Sequence, residues 1–141
     1  MKTVTEWAAQ HGMTITEDPN VVVIGLNPAL KGSNGITSTF QRLITWFRMV
    51  RHPDFTFTNI HPSPKFDGKM SSLNWNWIEA NIEPHRGKKI VALGSFVSKV
   101  LNKMEIDHLA INHPSARNLY WNDWNNEVET VKQIREYLFN D

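Results

Sequence analysis

Two short polar segments of the sequence place a hydrogen-bonding side chain directly before a proline. Residues 25–29 (GLNPA) contain Asn27, and residues 113–118 (HPSARN) begin with His113. The proline disfavours helical backbone at the residue before it, which helps to hold each side chain in place. Asparagine cannot act as a general base as a carboxylate does, so chemistry at these residues would depend on hydrogen bonds. Each segment taken alone is more typical of a structural role than of chemistry.

The hydrophobic pattern predicts the elements that position these segments. The β-branched run at residues 21–26 does not alternate with polar residues, which is typical of a parallel strand covered on both faces. Further strands are predicted at residues 55–60, 90–93 and 108–112. Helices are predicted at residues 3–11, 37–50, 71–82, 95–104 and 121–139.

Apolar stripes indicate which helix faces are buried. In the helix at 37–50 the stripe follows the i, i+3, i+4, i+7 spacing and consists of Phe40, Leu43, Ile44, Phe47 and Val50. In the last helix the predicted buried face consists of Trp121, Trp124, Val128, Val131 and Leu138. The helix at 71–82 is expected to have Ser71 or Ser72 as its N-cap.

Strands that alternate with helices predict an α/β fold: one domain over residues 1–141, in three layers (α/β/α) around a four-stranded, mainly parallel sheet. In such sheets ligands bind outside the carboxyl ends of the strands. The loops at those ends are residues 27–35, 59–66, 94–95 and 112–118. Asn27 and His113 are therefore expected at the same edge of the sheet.

The composition limits the class of protein. Hydrophobic residues make up 40% and charged residues 21% of the 141 residues, which is typical of a globular domain. No apolar run approaches the ~18 residues of a membrane span, and the N-terminal residues lack the apolar region of a signal peptide. We therefore expect a cytoplasmic, monomeric protein without a membrane partner. The absence of cysteine excludes disulfides, thiolate zinc sites and iron–sulfur clusters.

Positive charge is concentrated in the middle of the chain. The net charge is only +1, but residues 31–103 contain eleven Lys or Arg and four Asp or Glu. This local excess suits a polyanionic partner, although solvated surface lysines explain such a bias equally well. The charge pattern alone leaves the partner open.

Taken together, the two polar segments resemble the catalytic motifs of the uracil-DNA glycosylase superfamily. GLNPA resembles the first motif in the Gly-x-Asn-Pro form of the mismatch-specific and single-strand-selective monofunctional branches. HPSARN resembles the second motif of the single-strand-selective branch, with Ala116 in place of a proline. Asn27 and His113 are 86 residues apart and both follow predicted strands. Weaker similarities at residues 55–64 and 90–101 extend the resemblance over residues 21–122.

The resemblance implies an α/β glycosylase that flips uracil or a 5-substituted pyrimidine out of DNA and hydrolyses its N-glycosidic bond. It implies that Asn27 positions the attacking water and that His113 donates a hydrogen bond to the leaving base. Asn59 would pair with the edge of the flipped base. The alternative is a protein of the same fold that binds a modified base or nucleotide with little or no cutting of DNA.

Further site residues follow from the same resemblance. The base-binding pocket would also include Gly25, Leu26, Pro28, Ala29 and Phe40. DNA contacts are expected from Ser63, Lys65, Ser95, Ser115, Arg117 and Asn118, with Arg117 as a wedge in the gap that the flipped base leaves. Alanine at position 29 replaces a tyrosine of the strictest uracil-selective branch, which predicts tolerance of 5-substituents. Phe40 also fits the apolar stripe of its helix, and a surface arginine is the alternative for Arg117.

Other functional classes find less support in the sequence. A nucleotide-binding module would need a glycine-rich turn, and neither GxGxxG nor GxxxxGK[ST] occurs here. A metal hydrolase is disfavoured because His61 and His113 lack clustered carboxylates and no HExxH is present. We therefore expect neither a metal nor a cofactor.

Overall fold

A computed structural model describes residues 18–27, 38–63, 65–114 and 122–140. Within these ranges four strands form one sheet: β1 (Val21–Gly25), β2 (Thr56–Asn59), β3 (Lys89–Leu93) and β4 (Leu109–Ile111). The helices there are α1 (Ser38–Met49), α2 (Trp75–Ile82), α3 (Ser95–Lys103) and α4 (Trp124–Phe139). None of these four helices is both long and apolar enough to cross a membrane. The helix predicted at residues 3–11 lies outside the described residues.

The sheet is parallel throughout, in the order β2-β1-β3-β4. All five residues of β1 are buried, as are four of the five residues of β3, because each of these strands is paired on both sides and covered on both faces. The predicted α/β class is confirmed. Strands β1, β2 and β4 each end one residue earlier than predicted, whereas β3 ends at Leu93 as predicted.

Two apolar clusters, one on each face of the sheet, give the molecule three layers. Val21 and Val23 of β1 pack with α1 and α4 on one face. Val22 and Ile24 pack with α2 and α3 on the other. Because alternate residues of a strand point to opposite faces, a single buried strand contributes to both clusters.

Four residues of the predicted stripe are in the core: Leu43, Ile44 and Phe47 of α1, and Val50 directly after it. Trp46 is fully buried as well, and its indole Nε1 donates a 2.9 Å hydrogen bond to Oε1 of Glu127 on α4. This bond satisfies the polar atom of a large apolar side chain. It therefore joins the two helices that cover one face of the sheet.

The predicted start of α2 is wrong. Residues Met70–Ser72 form a separate 3₁₀ turn, and α2 begins only at Trp75. Asn74 is the N-cap, since its Oδ1 accepts a 3.1 Å hydrogen bond from the backbone N–H of Trp77. The hydroxyl of Ser72 donates to Asp67 at 2.6 Å. Ser72 lies in the 3₁₀ turn before Asn74 and does not cap the helix.

The predicted buried face of α4 is also wrong in part. Trp124 and Val128 are 62% and 46% exposed, whereas Val131 is buried as expected. The buried residues of α4 are Thr130, Val131 and Ile134, so its buried face is rotated about the helix axis relative to the predicted face. Glu127, one turn before Val131, lies on the same side of α4 and accepts the hydrogen bond from Trp46 of α1.

The bond between α1 and α4 can be tested with Trp46→Phe. The substitution removes the indole donor and leaves space in a close-packed core, so we expect the free energy of unfolding to fall by about 1.5–3 kcal/mol. Urea denaturation measures the change. The matched control is Trp124→Phe at an exposed position, expected to stay within about 0.5 kcal/mol of the parent. Equal losses for the two variants would contradict this account of the core.

Candidate functional site

All four strands end at one edge of the sheet, and the candidate side chains follow those ends. Asn59 is the last residue of β2, and Asn27 lies two residues beyond the end of β1. Gly94 and Ser95 follow β3 directly, and His113 lies two residues beyond β4. The chain reverses its direction across the sheet between β1 and β3, which is where parallel sheets usually bind ligands.

Asn59 lies against Gly25, its partner across the β1–β2 pairing. A Cβ atom at Gly25 would be only 2.7 Å from Asn59 Oδ1 and 3.0 Å from Cζ of Phe57. The first distance is shorter than real Cβ contacts allow, and the second is tighter than nearly all of them. The missing side chain at Gly25 therefore provides the space in which the Asn59 amide lies. Gly25 thus contributes space to the site.

The amide of Asn27 is tied to the loop after β2. Its Nδ2 donates a 3.2 Å hydrogen bond to the carbonyl oxygen of Ser63. The same loop continues the β1–β2 pairing, because the backbone N–H of His61 donates to the carbonyl oxygen of Leu26 at 3.1 Å. These two bonds connect the loops after β1 and β2 at the carboxyl edge.

Aromatic rings extend this connection to α3. The imidazole of His61 stacks on Phe66, with 4.3 Å between ring centroids and 23° between ring planes. Phe66 in turn meets Phe96, in the first turn of α3, edge to face at 5.8 Å. The loop after β2 therefore spans the edge of the sheet from β1 to the start of α3.

His113 is half-buried at the end of β4. Burial lowers the pKa of its imidazole below the ordinary value of 6.5, because the charged form loses hydration. The neutral ring, with one N–H donor, is thereby favoured at neutral pH. Gly94 lies beside it, and a Cβ there would be 3.6 Å from the His113 Cβ. Glycine is needed at position 94 for its φ of +92° rather than for space.

Pro114, directly after His113, is bonded to α1 by Arg42. Nη1 of Arg42 donates a 3.2 Å hydrogen bond to the carbonyl oxygen of Pro114. Its Nε lies 3.7 Å from Oε1 of Glu127, the carboxylate that also accepts from Trp46. A chain of polar contacts thus runs from the core of α1 and α4 to the loop after β4.

The other predicted site residues differ in their surroundings. Leu26 packs its side chain against the α2–α3 cluster, so its main chain, not its side chain, faces the loop after β2. Ser63 Oγ accepts from the backbone N–H of Lys65, and Lys65 and Ser95 are exposed. Phe40 lies in the first turn of α1, without a described side chain. The remaining predicted residues lie outside the described ranges: Pro28, Ala29, Ser115, Arg117 and Asn118.

His61 and Arg42 were not predicted as site residues. For His61 a signal does exist in the sequence, because residues 61–63 repeat the tripeptide His-Pro-Ser of residues 113–115. The two copies follow the two edge strands, β2 and β4, with the same offset of two residues. Arg42 lies on an amphipathic helix, where nothing distinguishes it from a solvated arginine.

Two surface depressions in the described part of the chain lie elsewhere. One, of about 480 Å³, is bordered by Glu79, Glu83 and Pro84 among others, and a smaller one by Trp75 and Met104. Residues 83–88 lead into the amino end of β3, so these depressions lie away from the candidate side chains. Nor do three His, Asp or Glu side chains come together as metal ligands within the described ranges.

Comparisons with known proteins give no family for this chain. No protein-family model, no curated protein and no solved structure matches it. The side chains at the carboxyl edge and the motif resemblance are therefore the indications of function.

The close approach at Gly25 predicts the effect of Gly25→Ala. The added methyl group must displace the Asn59 amide and the Phe57 ring, so we expect a loss of about 1–3 kcal/mol in the free energy of unfolding. In an Asn59→Ala background the same change should cost less, because one of the two obstructing groups is gone. Urea denaturation of the double-mutant cycle measures this coupling. Strictly additive effects would show that Asn59 does not occupy the space beside Gly25.

The lowered pKa of His113 makes stability depend on pH. The unfolded chain binds this proton near pH 6.5, whereas the folded protein binds it only at lower pH. The free energy of unfolding should therefore fall as the pH decreases from 6.5 toward the pKa of the folded state. NMR titration of the His113 ring measures the pKa. His113→Gln should lose less stability than the parent between about pH 7.5 and about pH 5.5; an equal loss would contradict the shift.

Proposed function

We propose that this protein is a monofunctional DNA glycosylase that excises uracil or a 5-substituted pyrimidine from DNA. The observation that best supports the proposal is the position of Asn27, Asn59 and His113 at one edge of the sheet. These are the residues to which the motif resemblance assigns the water, the base edge and the leaving base. We further propose that the protein acts as a monomer in the cell interior, on DNA, without a metal or cofactor.

The proposed reaction breaks the bond between C1′ of the deoxyribose and the base nitrogen. The bonding electron pair leaves with the base, and negative charge develops on its oxygens. A water molecule adds to C1′ and loses a proton to solvent, while the departing base takes one up. The products are the free base and an abasic site in the DNA. The protein must therefore orient the water and stabilise the charge on the base.

His113 is suited to the second task. A neutral imidazole offers one N–H, and a hydrogen bond from this donor to the base becomes stronger as negative charge develops. Because burial lowers the pKa of His113, the neutral imidazole is the form that donates this hydrogen bond at neutral pH. Its position next to Gly94 brings the ring close to the start of α3.

Asn27 and Asn59 are suited to orienting the water and the base. The Asn27 amide has its nitrogen bonded to Ser63, which leaves the oxygen end for a water molecule. The Asn59 amide can accept from N3–H of a uracil and donate to O4. Both functions need fixed amides, and each of these two side chains is in contact with a neighbouring loop or strand.

Alanine at position 29 bears on the choice of base. In the branch that excludes thymine, a tyrosine at this place collides with a 5-methyl group. Alanine removes that barrier, so bases such as 5-hydroxymethyluracil belong to the proposed substrate class. The absence of a carboxylate at position 27 favours a slow enzyme or an easily departing base. A base-binding protein without excision activity is the second candidate for the same reason.

Excision assays test the proposal. Single- and double-stranded oligonucleotides containing uracil or 5-hydroxymethyluracil are incubated with the protein and then cleaved at abasic sites with alkali. We expect product from both bases. Asn27→Ala and His113→Ala should each reduce the single-turnover rate by about 10²–10³-fold, the usual cost of losing one group that stabilises a transition state.

Matched controls use the same residue types at distant positions. Asn102→Ala on the exposed end of α3 and His85→Ala in the turn after α2 should keep the parent rate. Excision of uracil with every 5-substituted base left intact would contradict the argument from Ala29. No excision, combined with binding of the free base that Asn59→Ala abolishes, would identify the base-binding protein instead.

A further inference from the structure

The loop after β2 contacts Asn27 through a short series of hydrogen bonds. Asn27 Nδ2 donates to the carbonyl oxygen of Ser63 at 3.2 Å. The backbone N–H of Ser63 donates to Nδ1 of His61 at 3.1 Å. The backbone N–H of His61 donates to the carbonyl oxygen of Leu26, the residue before Asn27. The series begins and ends on neighbouring residues, so the loop and the Asn27 side chain hold each other in place.

The first of these bonds determines which way the Asn27 amide faces. A carbonyl oxygen can only accept, so the amide group that lies against Ser63 must be the NH₂ and not the oxygen. The other end of the amide group, Oδ1, then points away from Ser63. An amide without this partner could rotate and present either end. The Ser63 carbonyl thus selects the end of Asn27 that can hold a water molecule.

The second bond determines the tautomer of His61. The partner of Nδ1 is a backbone N–H, which can only donate, so Nδ1 must be the unprotonated nitrogen and Nε2 must bear the proton. Nδ1 also lies 3.4 Å from the Ser63 carbonyl oxygen. A proton on Nδ1 would favour that longer contact, but it would leave the Ser63 N–H facing a donor and compete with Asn27 for the carbonyl. The 3.1 Å contact therefore decides the assignment.

The ring of His61 is held in this orientation by aromatic contacts. It stacks on Phe66 at 4.3 Å between centroids, and Phe66 is supported by Phe96 on α3. The stack fixes the plane of the imidazole, and the plane fixes the direction in which the Nδ1 lone pair points. His61 therefore has two separable features, an apolar ring face and one acceptor atom.

We propose that His61, as its Nε2–H tautomer, is a positioning residue. It holds the main chain at Ser63 through the Ser63 N–H, and the Ser63 carbonyl oxygen in turn orients the Asn27 amide with Oδ1 toward the reacting water. The orientation of the amide is a property of the structure alone. Its effect on rate rests on the proposed glycosylase function. The two parts are measured separately, so that failure of one is distinguishable from failure of the other.

Two substitutions separate the acceptor of His61 from its ring. His61→Phe keeps an aromatic ring for the Phe66 stack but has no acceptor for the Ser63 N–H. His61→Asn loses the ring, but its Oδ1 can accept from the backbone N–H two residues on, as in an Asx turn. His85→Phe, in the turn after α2, is the matched control for a histidine-to-phenylalanine change away from the edge.

The first measurement follows the side-chain amide of Asn27 by NMR, with its signals assigned by their loss in Asn27→Ala. We expect hydrogen exchange of this NH₂ to be roughly 3–10-fold faster in His61→Phe, the equivalent of one weakened hydrogen bond. His61→Asn should return to the parent rate, and His85→Phe should not differ from it. An unchanged rate in His61→Phe overturns the proposal. Fast exchange in both His61 variants overturns the role of the acceptor, because the ring would then be what matters.

The second measurement is excision under the assay conditions described above. His61→Phe should lower kcat about tenfold, equivalent to a weakened orienting bond, with KM unchanged. His61→Asn should restore kcat. If the parent excises bases and His61→Phe does so with an unchanged kcat, the positioning role is refuted. If the parent excises nothing, the proposed function fails, while the exchange rates of the Asn27 amide still decide whether His61 orients it.

Discussion

The parallel pairing of β1 with β2 on one side and with β3 on the other is the constraint on which the candidate site depends. It sets Gly25 opposite Asn59 and Ile24 opposite Ala92, so the ends of three strands have a fixed register. Burial of every residue of β1 makes a shift of this register costly, because a one-residue slip would turn each side chain to the other face. The positions of the loops at the carboxyl edge follow from this register.

Hydrogen bonds then fix the loops, whose approximate positions follow from the register of the sheet. The two outer loops, after β2 and after β4, are each fixed by hydrogen bonds to a main-chain carbonyl group, at Ser63 and at Pro114. The donors, Asn27 and Arg42, come from β1's own loop and from α1. Side chains of the protein therefore connect the loops at the carboxyl edge. The two apolar clusters pack the sheet on which these loops stand. Precision of this kind is what a site built from amides and an imidazole requires.

The parts of the fold that local patterns determine could be predicted from the sequence. The buried runs of β1 and β3 and the stripe of α1 are examples, since each is a property of a few adjacent residues. The hydrogen bonds to the loops after β2 and β4 could not be predicted, because they join residues 36 and 72 positions apart. The rotation of α4 was mispredicted because Trp124 and Val128 form a second apolar stripe that competes with the buried one. Glu127 lies on the buried side and bonds Trp46 of α1, a contact with another helix that the pattern of α4 alone does not contain.

The bond between Asn27 and Ser63 also restricts which residue can occupy position 27. Aspartate has nearly the shape of asparagine, but it would set a carboxylate oxygen against a carbonyl oxygen about 3.2 Å away, with no hydrogen between two acceptors. Such an aspartate could stay only by taking up a proton, and a protonated acid is no longer a base. A change from amide to carboxylate chemistry at this edge would therefore require the loop after β2 to change with it. The side chain at position 27 and the loop after β2 are therefore coupled, and a single substitution at position 27 does not convert one kind of site into the other.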